Sequence, residues 1–234
     1  MNIMIENILI PLVSLIFLEI ILGVDNIIFI SILSEKLPEQ IRPKLRYWGL
    51  GLAVVFRLIL LFFISLILSL DKPLFIFFNN NFSGKDIILI LGGIFLLYKS
   101  TKEIYNKTER NQKENQPINY SFKKLLIEIV ALDLVFSIDS IITAVGMVSE
   151  LWVMYISVVV SMIIMLLASK PINEFILKHP SFKILALCFL MMIGVALLSE
   201  GLHFYIPKGY IYFAMAFSFL VDIIQMKSIK NINF

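Results

Sequence analysis

The sequence predicts an all-α polytopic membrane protein with seven transmembrane helices, six of them in a 3+3 inverted repeat and one extra helix. Three observations predict this class: a very apolar composition, a series of apolar runs separated by short basic loops, and an acidic motif that occurs in two of those runs. Hydrophobic residues make up 59% of the 234 residues, charged residues only 16%, and the mean hydropathy is +0.92. This balance excludes an ordinary soluble globular domain.

Each apolar run is a candidate transmembrane helix, because about 20 mostly apolar residues cross the roughly 30 Å hydrocarbon core of a bilayer. The predicted spans are Ile8–Leu33, Gly49–Leu70, Ile87–Tyr98, Leu125–Val148, Leu151–Ala168, Ile184–Leu198 and Ile211–Ile224. The third has only 12 residues and is equally consistent with a buried or re-entrant segment. Seven spans leave little of the chain for a soluble domain.

Basic residues alternate between the two sides of these spans. The first, third and fifth loops and the C-terminus hold 16 Lys and Arg residues, against 3 on the opposite side. The positive-inside rule therefore places the N-terminus outside and the C-terminus in the cytoplasm of a multi-pass protein of the cell membrane. The same rule accounts for the net charge of +3 without a nucleic-acid partner, so the expected surroundings are the lipid bilayer.

A short acidic motif occurs in the first span and again in the fourth. LEIILGVDNII at Leu18–Ile28 aligns without a gap with LDLVFSIDSII at Leu132–Ile142, and four of the eleven positions are identical. The alignment pairs Glu19 with Asp133, Asp25 with Asp139 and Asn26 with Ser140. Weaker similarities follow in the same order and pair Lys72–Pro73 with Lys170–Pro171 and Gly93 with Gly194.

The copies are three helices apart, so the second copy enters the membrane from the opposite side, as in the inverted repeats of many secondary transporters. The predicted organisation is a first three-helix repeat at 1–99, a cytoplasmic linker at 100–121, a second three-helix repeat at 122–200, and the seventh helix with the C-terminal tail at 201–234.

Each motif acid at mid-membrane costs about 2.5–3.5 kcal/mol on insertion scales, so a function or a partner must offset it. Residues seven apart share a helix face, as Glu19 and Asn26 do, because they lie about 20° from eclipse. The second acid of each motif then points sideways unless its helix opens. Gly23 permits such an opening in the first copy, and Ser137 in the matching place can bend the second helix by bonding to a carbonyl.

The convergent side chains predict a metal site near mid-membrane. Its predicted ligands are Glu19, Asp25, Asn26, Asp133, Asp139 and Ser140, with supporting roles for Arg57, Ser137 and Thr143. Every donor is an oxygen, which suits Mg²⁺, Ca²⁺ or Mn²⁺ rather than Zn²⁺ or copper. The alternative is that the acids pair with Arg57 and each other only to hold helices together, although one arginine cannot neutralise four acids. No resident cofactor is expected, because the metal is cargo.

With these residues in view, the chain resembles the TerC family of integral membrane proteins, in particular its compact YgdQ-like branch. The resemblance covers nearly the whole length and is most specific at EIILGVDN (Glu19–Asn26) and DLVFSIDS (Asp133–Ser140). It implies a seven-helix bundle in the bacterial inner membrane, distantly related to LysE-type exporters, with manganese export as the leading activity and the motif residues as the metal site. The tellurite resistance for which the family is named would be indirect, because four acids would repel an oxyanion.

The sequence thus predicts an exporter of divalent metal cations, with Mn²⁺ as the expected ion and alternating access by rocking of one repeat against the other. Proton coupling is compatible with carboxylates in a low dielectric, which can exchange a metal ion for protons. One alternative is a membrane scaffold that assists metal delivery to exported proteins without moving ions. Enzymatic activity is not expected, because an intramembrane aspartyl protease would carry a GxGD motif that GVD at Gly23–Asp25 does not match.

Overall fold

In a computed structural model of the chain, residues 8–77, 80–109, 120–148 and 150–232 are described. Within these residues the chain forms eight helices and one two-stranded hairpin, so the prediction of an all-α architecture is confirmed. The elements are α1 (Ile10–Ser34), α2 (Arg42–Phe62), α3 (Ile64–Ser69), β1 (Pro73–Phe77), β2 (Asn80–Ser83), α4 (Gly84–Thr108), α5 (Phe122–Met147), α6 (Leu151–Lys178), α7 (Pro180–Gly201) and α8 (Lys208–Ile232).

Every predicted span falls on a helix, but the ends differ where the sequence carried weak signals. The second span begins seven residues early, at Arg42, with a proline in its first turn, and it is interrupted at Phe63 before the short α3. The third span becomes a 25-residue helix, because α4 continues through polar residues to Thr108. Residues 100–108 of the predicted linker are therefore helical, and residues 110–119 lie outside the described part of the chain.

Five of the described helices are long and apolar enough to cross a membrane. These are α1, α2, α6, and the greater parts of α7 and α8. The two other long helices, α4 and α5, carry charged residues along their length and are not among the five. A polytopic architecture is thus confirmed, and the count of seven spans stays a prediction.

The hairpin lies between α3 and α4. Its strands are antiparallel, with Phe75 opposite Phe82 and Ile76 opposite Asn81, and the register shifts near Pro73. One of the weaker sequence similarities therefore has no counterpart in the structure. Lys72–Pro73 leads into the hairpin, whereas Lys170–Pro171 lies inside α6.

The chain divides into two compact units, each built from both predicted repeats. The first unit comprises residues 1–85 and 118–174, and it contains α1, α2, α3, the hairpin, α5 and most of α6. Within it, α5 packs against α1, α2 and α3, and ten of its residues are buried. This unit contains the first two helices of each predicted repeat, and both acidic motifs lie in it.

The second unit comprises residues 86–117 and 175–234 and contains α4, the end of α6, α7 and α8. Here α4 and α7 approach closely at two glycines. A Cβ atom added to Gly93 would lie 2.7 Å from the carbonyl oxygen of Gly194, and one added to Gly194 would lie 3.1 Å from that of Gly93. The sequence alignment pairs these two glycines, and a mutual contact between paired residues is compatible with a two-fold repeat, which stays a prediction.

Candidate metal-ion site

Helices α1 and α5 run unbroken through both acidic motifs. The predicted openings at Gly23 and Ser137 are therefore wrong, and both residues have other local roles. A Cβ atom at Gly23 would overlap the sulfur of Met165, so this glycine makes room for a side chain of α6. The Ser137 hydroxyl bonds to side chains rather than to a helix carbonyl.

The centre of the site is the guanidinium of Arg57 on α2, which is 1% exposed. It forms an ion pair with Glu19 on α1, and its Nη2 lies 3.5 Å from Asp133 Oδ1 on α5. Its Nε donates to the Ser137 hydroxyl at 3.0 Å, and that hydroxyl donates to Asp133 Oδ2 at 3.1 Å. One arginine thus joins the first acid of each motif.

The two motifs also contact each other directly, at two equivalent positions. Asn26 Nδ2 donates to Asp133 Oδ1 at 2.9 Å. Ser140 lies beside Glu19, and its hydroxyl donates to the carbonyl oxygen of Ser137 at 3.2 Å. In the alignment of the motifs Asn26 corresponds to Ser140 and Asp133 to Glu19, so the Asn26–Asp133 pair becomes the Ser140–Glu19 pair when the copies are exchanged.

Four of the six predicted ligands therefore meet in one network, and Arg57 and Ser137 belong to it. These side chains are 0 to 4% exposed. Asp139 is equally buried on α5, at 4% exposure. Thr143 is exposed, and its hydroxyl donates to the carbonyl oxygen of Asp139, which is a local bond within α5 rather than a contact with the site. The backbone of Asp25 lies in α1, but its side chain is outside the described part of the structure.

This network contains two carboxyl groups and one guanidinium, so its acidic groups outnumber its basic groups by one. Arg57 contacts both acids, as expected for a structural or charge-balancing residue. These contacts explain how Glu19 and Asp133 are tolerated in the interior. Among the described side chains, no three His, Cys, Asp or Glu residues are grouped so that they could hold a metal ion together. The acids are thus held by the arginine in this conformation, and any ion that binds here needs further donors.

Such donors surround a small cavity beside the network, lined by α1, α2, α5 and α6. Asn26 and Asp133 are its polar residues, and two sulfur-containing residues, Met162 and Met165, also line it. The Oδ1 atom of Asn26 is buried and has no hydrogen-bond partner among the described residues. The methionines carry no signal in the sequence, because two methionines three residues apart on an apolar helix resemble ordinary core packing.

The sequence model of the integral membrane protein TerC family matches residues 4–232. The chain belongs to the TerC family. Among its relatives, a UPF0053 protein of Haemophilus influenzae is 48% identical over 221 residues, which cover 93% of each chain. The UPF0053 inner membrane protein YoaE of Escherichia coli is 47% identical over 94% of this chain, and a UPF0053 protein of Buchnera aphidicola subsp. Schizaphis graminum is 51% identical over 94%.

This TerC family chain spans less than half the length of two of these relatives, 43% in both cases. No solved structure matches it significantly. Membership in the family establishes an integral membrane protein, in agreement with the apolar helices, and the Escherichia coli relative is named as a protein of the inner membrane. The names of these relatives describe no cargo.

Proposed function

We propose that the chain exports divalent metal cations across the inner membrane, with Mn²⁺ as its cargo. The observation that carries the proposal is the meeting of Glu19 and Asp133, one from each motif, in a buried network with more acidic than basic groups. A membrane protein that only needed to hold helices together could use neutral contacts at a lower cost. The additional acidic group instead suits a cation that enters and leaves.

The acids are shared between two sequence copies, and this suits alternating access. A movement of one copy relative to the other would separate the Asn26–Asp133 and Ser140–Glu19 pairs together, because each pair joins a residue of one copy to a residue of the other. Arg57 would retain its contacts with both acids only while the copies stay in register. The network is therefore a two-state element whose equilibrium a bound cation can shift.

The test is Mn²⁺ flux into inverted vesicles that contain only the purified protein. Asp133→Asn and Asp139→Asn keep the size of the side chain and remove its charge, so we expect normal insertion and a loss of flux of at least about tenfold, as for other disrupted metal sites. Asp25→Asn should have the same effect. The matched control is Asp71→Asn, because Asp71 is exposed in the turn before the hairpin.

Wild-type protein without Mn²⁺ flux, in vesicles where an unrelated transporter is active, would contradict the proposal and favour a scaffold that assists metal delivery. Full flux in all three motif variants at equal protein level would show that ions pass elsewhere. Proton coupling is tested in the same vesicles, since a coupled exporter should acidify or alkalinise the lumen in proportion to the imposed Mn²⁺ gradient.

A further inference from the structure

We infer that the exported ion is bound by thioether sulfur as well as by oxygen, in a site formed by Met162, Met165, the amide oxygen of Asn26 and the carboxylate of Asp133. This mixed site would favour Mn²⁺ and softer divalent ions over Mg²⁺ and Ca²⁺. The inference rests on the proposed function, because it names how that function selects its cargo.

The side chain of Asn26 has a defined orientation. This side chain is 4% exposed, and its Nδ2 donates to Asp133 Oδ1 at 2.9 Å. The opposite orientation would place the amide oxygen against a carboxylate oxygen, so the bond fixes the amide. Its Oδ1 then remains without a hydrogen-bond partner among the described residues. A buried acceptor of this kind is costly unless something binds to it, and Asn26 lines the cavity.

The cavity wall is apolar apart from a few heteroatoms. The cavity has room for about one water-sized particle, and six of its ten lining residues are hydrocarbon side chains. The only hydrogen-bond donor among the lining side chains is the Asn26 amide, which already donates to Asp133. The remaining heteroatoms of the lining residues carry lone pairs: the carboxyl group of Asp133, the amide oxygen of Asn26 and the sulfurs of Met162 and Met165. Such a wall matches a small cation better than an anion or an alcohol.

Both methionine side chains are buried inside the protein. Met162 is 2% exposed and Met165 is 1% exposed, so neither thioether lies at the protein surface. Gly23 leaves space for the Met165 sulfur on the surface of α1, two residues before the second acid of that motif. Leucine would fill the same volume without a lone pair. Thioethers bind borderline and soft metals, whereas Mg²⁺ and Ca²⁺ require oxygen.

The transport test compares Met162→Leu and Met165→Leu with wild type in proteoliposomes. The control is Met154→Leu, a buried residue of the same helix that does not line the cavity. We expect the concentration of Mn²⁺ for half-maximal flux to rise about tenfold in each cavity variant, in line with other lost metal-site groups. Competition by Mg²⁺ should then strengthen by a similar factor. Met165→Gln replaces sulfur with oxygen and should also strengthen Mg²⁺ competition.

A direct measurement of the ligands is X-ray absorption on purified protein loaded with Cd²⁺, a soft analogue. It is made in a Cys188→Ser background, which removes the only thiol of the sequence. The spectrum should show a sulfur neighbour that disappears when both Met162 and Met165 are replaced by leucine. This readout does not require transport.

The outcomes separate the two proposals. Flux that depends on Asp133, with unchanged ion selectivity in both leucine variants and no sulfur neighbour in the spectrum, would overturn the mixed site and leave the exporter standing. Absence of any divalent flux in wild type would overturn the exporter itself. A shift in selectivity confined to the cavity variants, with loss of the sulfur neighbour, supports the mixed site.

Discussion

Replacing Arg57 with methionine should destabilise the protein strongly, and the network explains why. The side chain is buried and contacts Glu19, Asp133 and Ser137 at once. Methionine fills most of the same space, so the substitution removes the charge without opening a large cavity. It leaves two carboxylates close together with no cation between them, and it leaves one serine hydroxyl without its donor.

The expected loss is about 3–5 kcal/mol, the usual result of removing one partner of a buried ion pair. Arg57→Lys keeps the charge but cannot reproduce three contacts from one planar group. If the lysine loses one charge-assisted hydrogen bond, the loss is about 1.5–3 kcal/mol. The free energy of unfolding should therefore fall more in Arg57→Met than in Arg57→Lys.

Denaturant unfolding of the purified protein in detergent measures these losses. Lys44→Met is the matched control, because Lys44 is an exposed cation on the same helix. A double-mutant cycle with Glu19→Gln isolates the Arg57–Glu19 coupling, which should reach about 3 kcal/mol at the upper end for contacting pairs. Stability of Arg57→Met within about 0.5 kcal/mol of wild type would refute the reasoning, since that is the effect of a surface substitution.

The other predictions concern packing, topology and selectivity. Gly93→Ala should lower the free energy of unfolding by about 1–3 kcal/mol, because the new methyl group meets backbone atoms of α7 at 2.7 and 2.8 Å. In Gly51→Ala the new methyl group meets nothing within 4 Å, so this variant should be neutral or slightly stabilising. In a cysteine-free background, cysteine at Glu109 should react with a membrane-impermeant reagent only from the cytoplasm, and cysteine at Asn81 only from outside. Gly23→Ala should displace the adjacent thioether and raise the Mn²⁺ concentration for half-maximal flux about tenfold.

Each of these predictions has a result that contradicts it. Equal unfolding curves for the two alanine variants at Gly93 and Gly51 would mean that α4 and α7 do not approach at the paired glycines. Labelling of both cysteines from the same side would mean that α4 does not cross the membrane, and the three-plus-three repeat would fail with it. Wild-type Mn²⁺ affinity in Gly23→Ala would separate the thioether from ion binding.

The polar part of the site could be predicted from the sequence, because it depends on spacing within single helices. Glu19 and Asn26 are seven residues apart, and any unbroken helix places them on one face. The alignment of the two motifs then predicted that the same face recurs on α5. These inferences need no knowledge of how the helices are rotated against each other.

The contacts between helices could not be predicted in this way. The position of Met165 depends on the rotation and height of α6 against α1, which are set by packing at places such as Gly23. The length of α4 was also hidden, since its last turns are polar and only the apolar part carries a transmembrane signal. The hydrogen-bond partners of Ser137 could not be predicted either. A serine in a helix commonly bonds to a carbonyl of its own helix, but Ser137 bonds to Arg57 and Asp133 because α2 brings the guanidinium beside it.

The two copies are alike in their acids and unlike in the residues that contact those acids, and this difference gives the position of the proposed ion. In both cross-copy contacts one partner is a carboxyl group, but the first copy contributes the amide of Asn26 and the second the hydroxyl of Ser140. The Ser140 hydroxyl donates its single hydrogen to the Ser137 carbonyl oxygen, whereas the Asn26 amide oxygen has no hydrogen-bond partner among the described residues. Under the proposed function, the cation would therefore meet this amide oxygen on the side of the pseudo-two-fold arrangement that the α6 methionines line.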